Sequence, residues 1–452
     1  MVKYGILTLL VCIVALVVFK KEIGLSTWQS KQAPYIIDKE VRYYKGPPDQ
    51  SLVARPAPIP ASQATALPPL PKRIKVPYAA EEENVYSYNV YREPDKPWIL
   101  HLAVVTKFID DTNEAVNDYK IWYRVSNDGG NTFASLHPLI QSGKDYDFKH
   151  PIRPVWAGKN GFFSCISVPV VRASNGEIMA TFTLTSLDEN GKIYNPSKCS
   201  SFTAAGVLIG RWADGGQDII WDFGQTVMLS PEQSTRGAME PTVIELSQKG
   251  EFLMLLRASN DWGIFDEKGK WVGSHKSDQD FQLLPGHKWV SYSRDYCRTW
   301  SKPVPFGYAD GAAFFSPSSC STVLRSIKNG RLYWIGNICP ENPAANDPRY
   351  PLVIGEIDEV KKGIKKDSLL VIDTRDPQYD SNKMQLSNFK VYEDPANGNL
   401  LVVLQRLEPV VGPWGDWTSG GHGSWYLVGV PYGRFFRVFR GVSHWLSCST
   451  GA

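Results

Sequence analysis

The sequence predicts an all-β protein built as a six-bladed β-propeller, and three observations carry that expectation. Short apolar runs recur, each opened by a polar turn, as in 175–179 (NGEIM), 249–253 (KGEFL), 329–333 (NGRLY) and 397–401 (NGNLL). This is the pattern of strands entered through tight turns. The turns return about every 70 to 80 residues, from 96–100 (KPWIL) onward, and a strand-bearing repeat of this kind marks a propeller or solenoid. Sustained 3.6-residue apolar periods are few, whereas aromatic and turn-forming residues are plentiful, with 15 Trp, 21 Tyr and 19 Phe beside 37 Gly and 32 Pro. Five units are visible. Terminal strands, for example 425–430 with an N-terminal strand, would close a sixth blade.

The chain of 452 residues divides into three segments. Residues 1–24 hold an uninterrupted apolar run at 4–19, with Lys3 before it and Lys20 and Lys21 after it. An uncleaved membrane anchor or a secretory signal peptide both fit: the run is at the short limit for a span, and no clear small-residue cleavage site follows. Either implies export, to the periplasm or the cell surface. An apolar N-terminal helix is expected there. Residues 25–77 are dominated from 46 onward by Pro and Ala with almost no aromatic side chains, the composition of a semi-extended spacer. Residues 78–452 form the propeller. A net charge of +3 is close to balance, so nothing electrostatic favours a nucleic-acid partner.

Of seven cysteines, Cys12 lies in the apolar run. The other six, Cys165, Cys199, Cys297, Cys320, Cys339 and Cys448, permit three disulfides or serve as buried free thiols. No Cys/His spacing suggests zinc, and no metal or cofactor is expected. Nucleophile-elbow, H-E-x-x-H and phosphate-loop patterns are missing from the sequence.

The most informative stretch is 235–257 (TRGAMEPTVIELSQKGEFLMLLR). It reads as a β-hairpin turning at Lys249 and Gly250, with a second strand apolar enough to be buried on both faces. The start of one antiparallel strand lies beside the end of its partner. Glu240 and Arg257 should therefore reach the same rim of the sheet. Two other stretches are rich in aromatic and small polar side chains, which fits turns around buried aromatic residues and also sugar sites: 314–321 (FFSPSSCS), and the loop containing His150 and 156–161 (WAGKNG).

Residues 126–133 (SNDGGNTF) fit S-x-D-x-G-x-T-[WF], and 293–300 (SRDYCRTW) fit it with Cys297 in place of the glycine. These resemble the Asp boxes of the sialidase (neuraminidase) superfamily, in which the Asp binds turn amides and the aromatic residue packs between sheets. From about residue 86 onward the chain resembles that superfamily, in particular its bacterial exported members. The resemblance implies a six-bladed propeller with a central site. It also implies arginines that clamp a substrate carboxylate through bidentate hydrogen bonds, a Tyr nucleophile activated by a Glu, and an Asp as acid/base.

Carried over by position, Glu240 takes the place of the family's Glu, Arg257 and Arg349 those of its second and third arginines, and Asp118 that of the acid/base. Asp118 is expected in the loop that enters the strand before residue 126. Two positions depart from the pattern. Ser87 falls where the family has its first arginine, and Ser387 or Asn388 where it has the tyrosine. The expected site is thus Glu240 and Asp118 for catalysis, with Arg257, Arg349, Ser87, Ser387 and Asn388 for substrate binding. The implied function is exo-hydrolysis of sialylated or other anionic glycans. The alternative is a propeller that binds carbohydrate without cleaving it.

Overall fold

The computed structural model describes residues 84–107, 118–163, 168–197, 199–260, 284–378, 380–394 and 398–409, and the strand backbones of 37–40, 263–265, 271–274, 417–429 and 437–444. The apolar run at 4–19 with its expected helix, most of the Pro- and Ala-rich stretch, and Cys12, Cys165 and Cys448 lie outside the described residues.

The protein is all-β, and its sheets follow one another along the chain. After β1 (Ile37–Glu40), the first sheet holds β2 (Asn84–Arg92), β3 (Ile99–Lys107), β4 (Asp118–Ser126) and β5 (His137–Pro138). The second holds β6 (Phe162–Phe163), β7 (Val171–Arg172), β8 (Ile178–Thr185), β9 (Thr203–Trp212) and β10 (Ile219–Phe223). Here β6 and β7 are two pieces of one edge, both paired to β8. The third holds β11 (Met239–Glu245) and β12 (Phe252–Arg257), then, after the ribbon of β13 (Gly263–Phe265) and β14 (Trp271–Ser274), β15 (Trp289–Ser293) and β16 (Val304–Pro305). The fourth holds β17 (Thr322–Arg325), β18 (Leu332–Asn337), β19 (Leu352–Asp358), β20 (Gly363–Ile364) and β21 (Leu370–Asp373). The fifth holds β22 (Lys390–Glu393), β23 (Leu400–Pro409), β24 (Trp417–Gly429) and β25 (Arg437–His444). All strand pairs within these sheets are antiparallel.

β1 pairs with β25, so an N-terminal strand completes the last sheet. That strand lies within the stretch expected to be a spacer. The recurring turns each precede the second strand of a sheet, or β8 in the second sheet. Gly176, Gly250, Gly330 and Gly398 take positive φ there, a backbone region that residues with a Cβ adopt only with strain.

Successive sheets pack face to face, and each apolar core lies between two of them. Leu100, Leu102 and Tyr123 of the first sheet meet Ile178, Phe182 and Trp221 of the second. Met179, Val207 and Ile209 of the second meet Phe252, Met254 and Leu256 of the third. Leu253 and Leu255 of the third meet Leu332, Trp334 and Val353 of the fourth. Tyr333, Ile335 and Ile354 of the fourth meet Leu400, Val402 and Leu404 of the fifth. Alternate residues of β12 and β18 thus enter different cores, because side chains alternate across a strand. A sheet buried on both faces needs apolar residues at every position, which is why β12 reads FLMLLR. Sheets built in chain order and packed in series give a β-propeller-like arrangement.

The two Ser/Asp turns carry the same hydrogen bonds. Thr132 N–H and Oγ1 donate to Asp128 at 3.0 and 2.6 Å, and Gly130 N–H donates to Ser126 Oγ at 2.9 Å. Thr299 N–H and Oγ1 donate to Asp295 at 2.9 and 2.6 Å, and Cys297 N–H donates to Ser293 Oγ at 2.9 Å. Cys297 adopts φ +67° where Gly130 adopts +93°; its thiol is buried in the core between the second and third sheets. Cys199, Cys297, Cys320 and Cys339 are buried, and none forms a disulfide with another described cysteine.

Leu253→Ala, emptying a fully buried site, should cost about 2–5 kcal/mol. Asp295→Ala, which deletes a partly buried turn carboxylate, should cost about 1 kcal/mol. Urea unfolding midpoints of the two variants measure both, and equal losses would contradict the interleaved-core account.

Candidate functional site

A chain repeat folded into successive sheets brings equivalent positions together. Glu240 is the second residue of β11, Cys320 lies two residues before β17, and Asn388 two residues before β22. Each stands at the start of its sheet's first strand. The Cys320 thiol donates to Glu240 Oε2 at 2.8 Å and lies 3.5 Å from Asn388 Oδ1.

The hairpin sets the first pair. Met239 pairs with Arg257, and the register then slips before Thr242. This bulge holds Glu240 at φ +40°, and Asn388 is held at +57°. Non-glycine residues reach this region only at a cost of about 1–3 kcal/mol. Glu240 N–H donates to Thr183 Oγ1 of β8 at 2.8 Å, which fixes the strained residue from the neighbouring sheet. Arg257 Nη1 donates to Glu240 Oε2 at 2.7 Å, with 12% of the Arg257 side chain and 19% of the Glu240 side chain exposed. Arg257 Nε donates to Ser318 Oγ at 3.0 Å, and Nη2 to Asn346 Oδ1 at 3.4 Å.

Arg349 enters from the segment before β19. Its Nε and Nη2 donate to the Ser318 carbonyl at 3.1 and 2.7 Å. Nη1 donates to Gln385 Oε1 and Ser387 Oγ at 2.8 and 3.1 Å, and Nη2 also donates to Asn346 Oδ1 at 2.7 Å. Every acceptor named is uncharged. Lys288, fully buried just ahead of β15, donates to the Pro317 carbonyl at 2.9 Å and to the Ser319 carbonyl. The short run 316–320 is therefore the hub of the site. Ser316 Oγ donates to the Asn337 carbonyl at 2.7 Å, and Ser318 N–H to that of Ala345 at 2.6 Å. Its oxygens hold two guanidinium groups and an ammonium, and its thiol holds the carboxylate.

Three basic side chains thus face one carboxylate. Burial acts to raise the Glu240 pKa, but the Arg257 charge, the thiol and guanidinium hydrogen bonds and the Arg349 charge outweigh it and hold the value at about 2. Burial and the charge of Arg257 push Lys288 down to about 7 and Arg349 to about 10. Burial raises the nearby Cys339 thiol to about 12, with Lys288 acting against the shift. The centre carries excess positive charge, compensated mainly by amide, hydroxyl and carbonyl oxygens.

Of the expected site residues, the structure gathers Glu240, Arg257, Arg349, Ser387 and Asn388. Ser87 and Asp118 lie in the first sheet, paired with Val104 in β2–β3 and with Lys107 in β3–β4; their side chains lie outside the described residues. Asp118 is the first residue of β4, not part of a loop ahead of it. Sequence reasoning missed Cys320, Lys288, Gln385 and Asn346. A signal existed for Cys320, since 314–321 stands out as polar between aromatic and apolar runs. Its hydroxyls and carbonyls hold the site's own cations. The other aromatic loop lies by the junction of the first two sheets, where His150 and Trp156 stack at 3.7 Å and 44% of Trp156 is exposed.

No family model matches the chain, and no curated protein does. Among solved structures, it is similar to a Hadza microbial sialidase (12% identity, 80% of this chain and 53% of that one, TM-score 0.42). It is similar to a Trypanosoma rangeli sialidase in complex with sialic acid (11%, 81% and 46%, 0.41) and to a levansucrase from Bacillus subtilis (11%, 82% and 90%, 0.43). The match spans about half the length of the two sialidases. No residue role is carried from any of these proteins to this chain.

The shifts fix how stability should depend on pH. Glu240 is depressed from 4.5 to about 2, so its stabilising contribution is present above 4.5 and is lost as pH falls toward 2. Lys288 is depressed from 10.5 to about 7. Its charged form therefore destabilises the fold in full below 7, and that cost disappears as pH rises through this interval. Unfolding midpoints should show wild type gaining on Lys288→Met between those two values. They should also show Glu240→Gln losing less than wild type on the acid side. A pH-independent difference in both cases would refute the assignment.

Proposed function

We propose that this chain is a sialidase-type, six-bladed β-propeller that hydrolyses terminal residues of anionic glycans. The observation that carries the reading is the buried Glu240 carboxylate, kept ionised among Arg257, Arg349 and Lys288. An ionised base beside surplus positive charge suits a substrate that brings its own negative charge. The two Asp-box-like turns and the Glu240–Arg257 hairpin spacing support the same family. In this reading Glu240 is the base, Arg257 and Arg349 orient the substrate anion, and Asp118 donates the proton to the leaving group. Ser87, Ser387 and Asn388 line the sugar. The apolar run at 4–19 and the Pro-rich stretch support export, with the propeller tethered at a membrane.

One observation favours a second reading, a propeller that binds anionic glycan without cleaving it. Ser387, which with Asn388 falls where the family has its tyrosine, is fully buried and its hydroxyl accepts a hydrogen bond from Arg349.

The test is hydrolysis of aryl glycosides of sialic, uronic and sulfated sugars by the full chain. Release from an anionic sugar and not from its neutral analogue is expected, with a loss of about a thousandfold or more in Glu240→Gln. Glycan binding without release by the folded protein would establish the second reading. Equal release from neutral and anionic sugars would overturn the substrate assignment.

A further inference from the structure

We infer that Cys320 is the nucleophile of this site, with Glu240 as its base. The inference rests on the hydrolase reading and names the group that would attack the sugar. Four observations lead to it. The Cys320 thiol donates to Glu240 Oε2 at 2.8 Å, and Arg257 Nη1 donates to the same oxygen at 2.7 Å. A nucleophile hydrogen-bonded to a base that a third group orients is the general signature of covalent catalysis. The carboxylate is ionised and is placed to receive the thiol proton as sulfur attacks. The basic groups Arg257, Arg349 and Lys288 lie around the pair. Cys320 itself is 3% exposed, and solvent reaches the dyad through the Glu240 side chain, 19% of which is open.

Position supports the same assignment. Ser387 is occupied by Arg349, and the Asn388 side chain has no nucleophilic atom. Cys320 stands between Glu240 and Asn388, contacting both, at the repeat-equivalent place on the intervening sheet. Cys199, Cys297 and Cys339 lack this setting. Burial pushes the thiols of Cys297 and Cys339 upward, and Cys199 donates to the Ser197 carbonyl.

The reaction balances. Glu240 takes the Sγ proton, and sulfur attacks the anomeric carbon. The C–S bond forms as the glycosidic C–O bond breaks, and the leaving oxygen takes a proton from the acid, assigned above to Asp118. Water then attacks the anomeric carbon and gives a proton back to that acid. As the C–S bond breaks, sulfur recovers its proton from Glu240. The net change is addition of water across one glycosidic bond.

The experiment uses the full chain and dinitrophenyl glycosides of sialic and uronic acids, whose leaving groups depart without protonation. Intact mass spectrometry of a quenched reaction should show one added glycosyl group, mapped by peptide analysis to Cys320. Hydrolysis should fall about a thousandfold or more in Cys320→Ala and Cys320→Ser, with thermal unfolding confirming that both variants fold. Labelling adds a readout independent of turnover: anionic iodoacetate should modify Cys320 faster than Cys199, Cys297 or Cys339, and equal rates would overturn the assignment. Hydrolysis by Cys320→Ala at a rate near that of wild type would overturn the nucleophile and leave the hydrolase standing. An adduct on any other residue would overturn it in the same way. No release from any sugar by wild type would remove the hydrolase reading and the nucleophile together.

Discussion

The burial of one carboxylate among three basic side chains is the constraint on which the rest of the centre depends. A charge taken out of water is costly unless it is paired and hydrogen-bonded. Glu240 meets that condition through Arg257 and Cys320. Arg349 and Lys288 meet it through uncharged oxygens of 317–319, Asn346, Gln385 and Ser387. The polar run 316–320 is therefore not free to vary as a surface loop would be. Its carbonyls point inward because cations from the third and fourth sheets require acceptors there. The strained backbones of Glu240 and Asn388 persist because their neighbours over-determine them.

The sheets supply the rigidity that such a centre needs. Each of the second, third and fourth sheets contributes to two apolar cores, one on each face. A displaced strand would disturb both, so the strand starts that carry Glu240 and Cys320 are held in register from two sides. The same two-sided burial gives β12 its continuous apolar sequence. It also leaves the strand ends as the place where charged groups can gather.

How much of the site could be read beforehand follows from how local each relation is. Glu240 and Arg257 were legible as a pair because a short antiparallel hairpin determines which ends meet. Arg349, Ser387 and Asn388 came from resemblance, and no spacing along the chain would have joined them. Cys320 was passed over as part of a sugar-like loop, although it repeats the position of Glu240 one sheet later. Lys288 offered only a charged residue ahead of an apolar strand, a pattern that fits most solvent-facing lysines equally well.

By itself the sequence determined the all-β class, the turn positions and the interior strands, because these follow from local turn chemistry and from an apolar pattern read over a few residues. Tertiary structure alone decided which repeat-equivalent residues share a centre. It also decided that the 316–320 oxygens serve the protein's own cations and that Cys320 meets Glu240. These outcomes depend on how successive sheets pack around one another, and hydrogen bonds between residues separated by sixty or more positions along the chain leave no local trace in composition or periodicity.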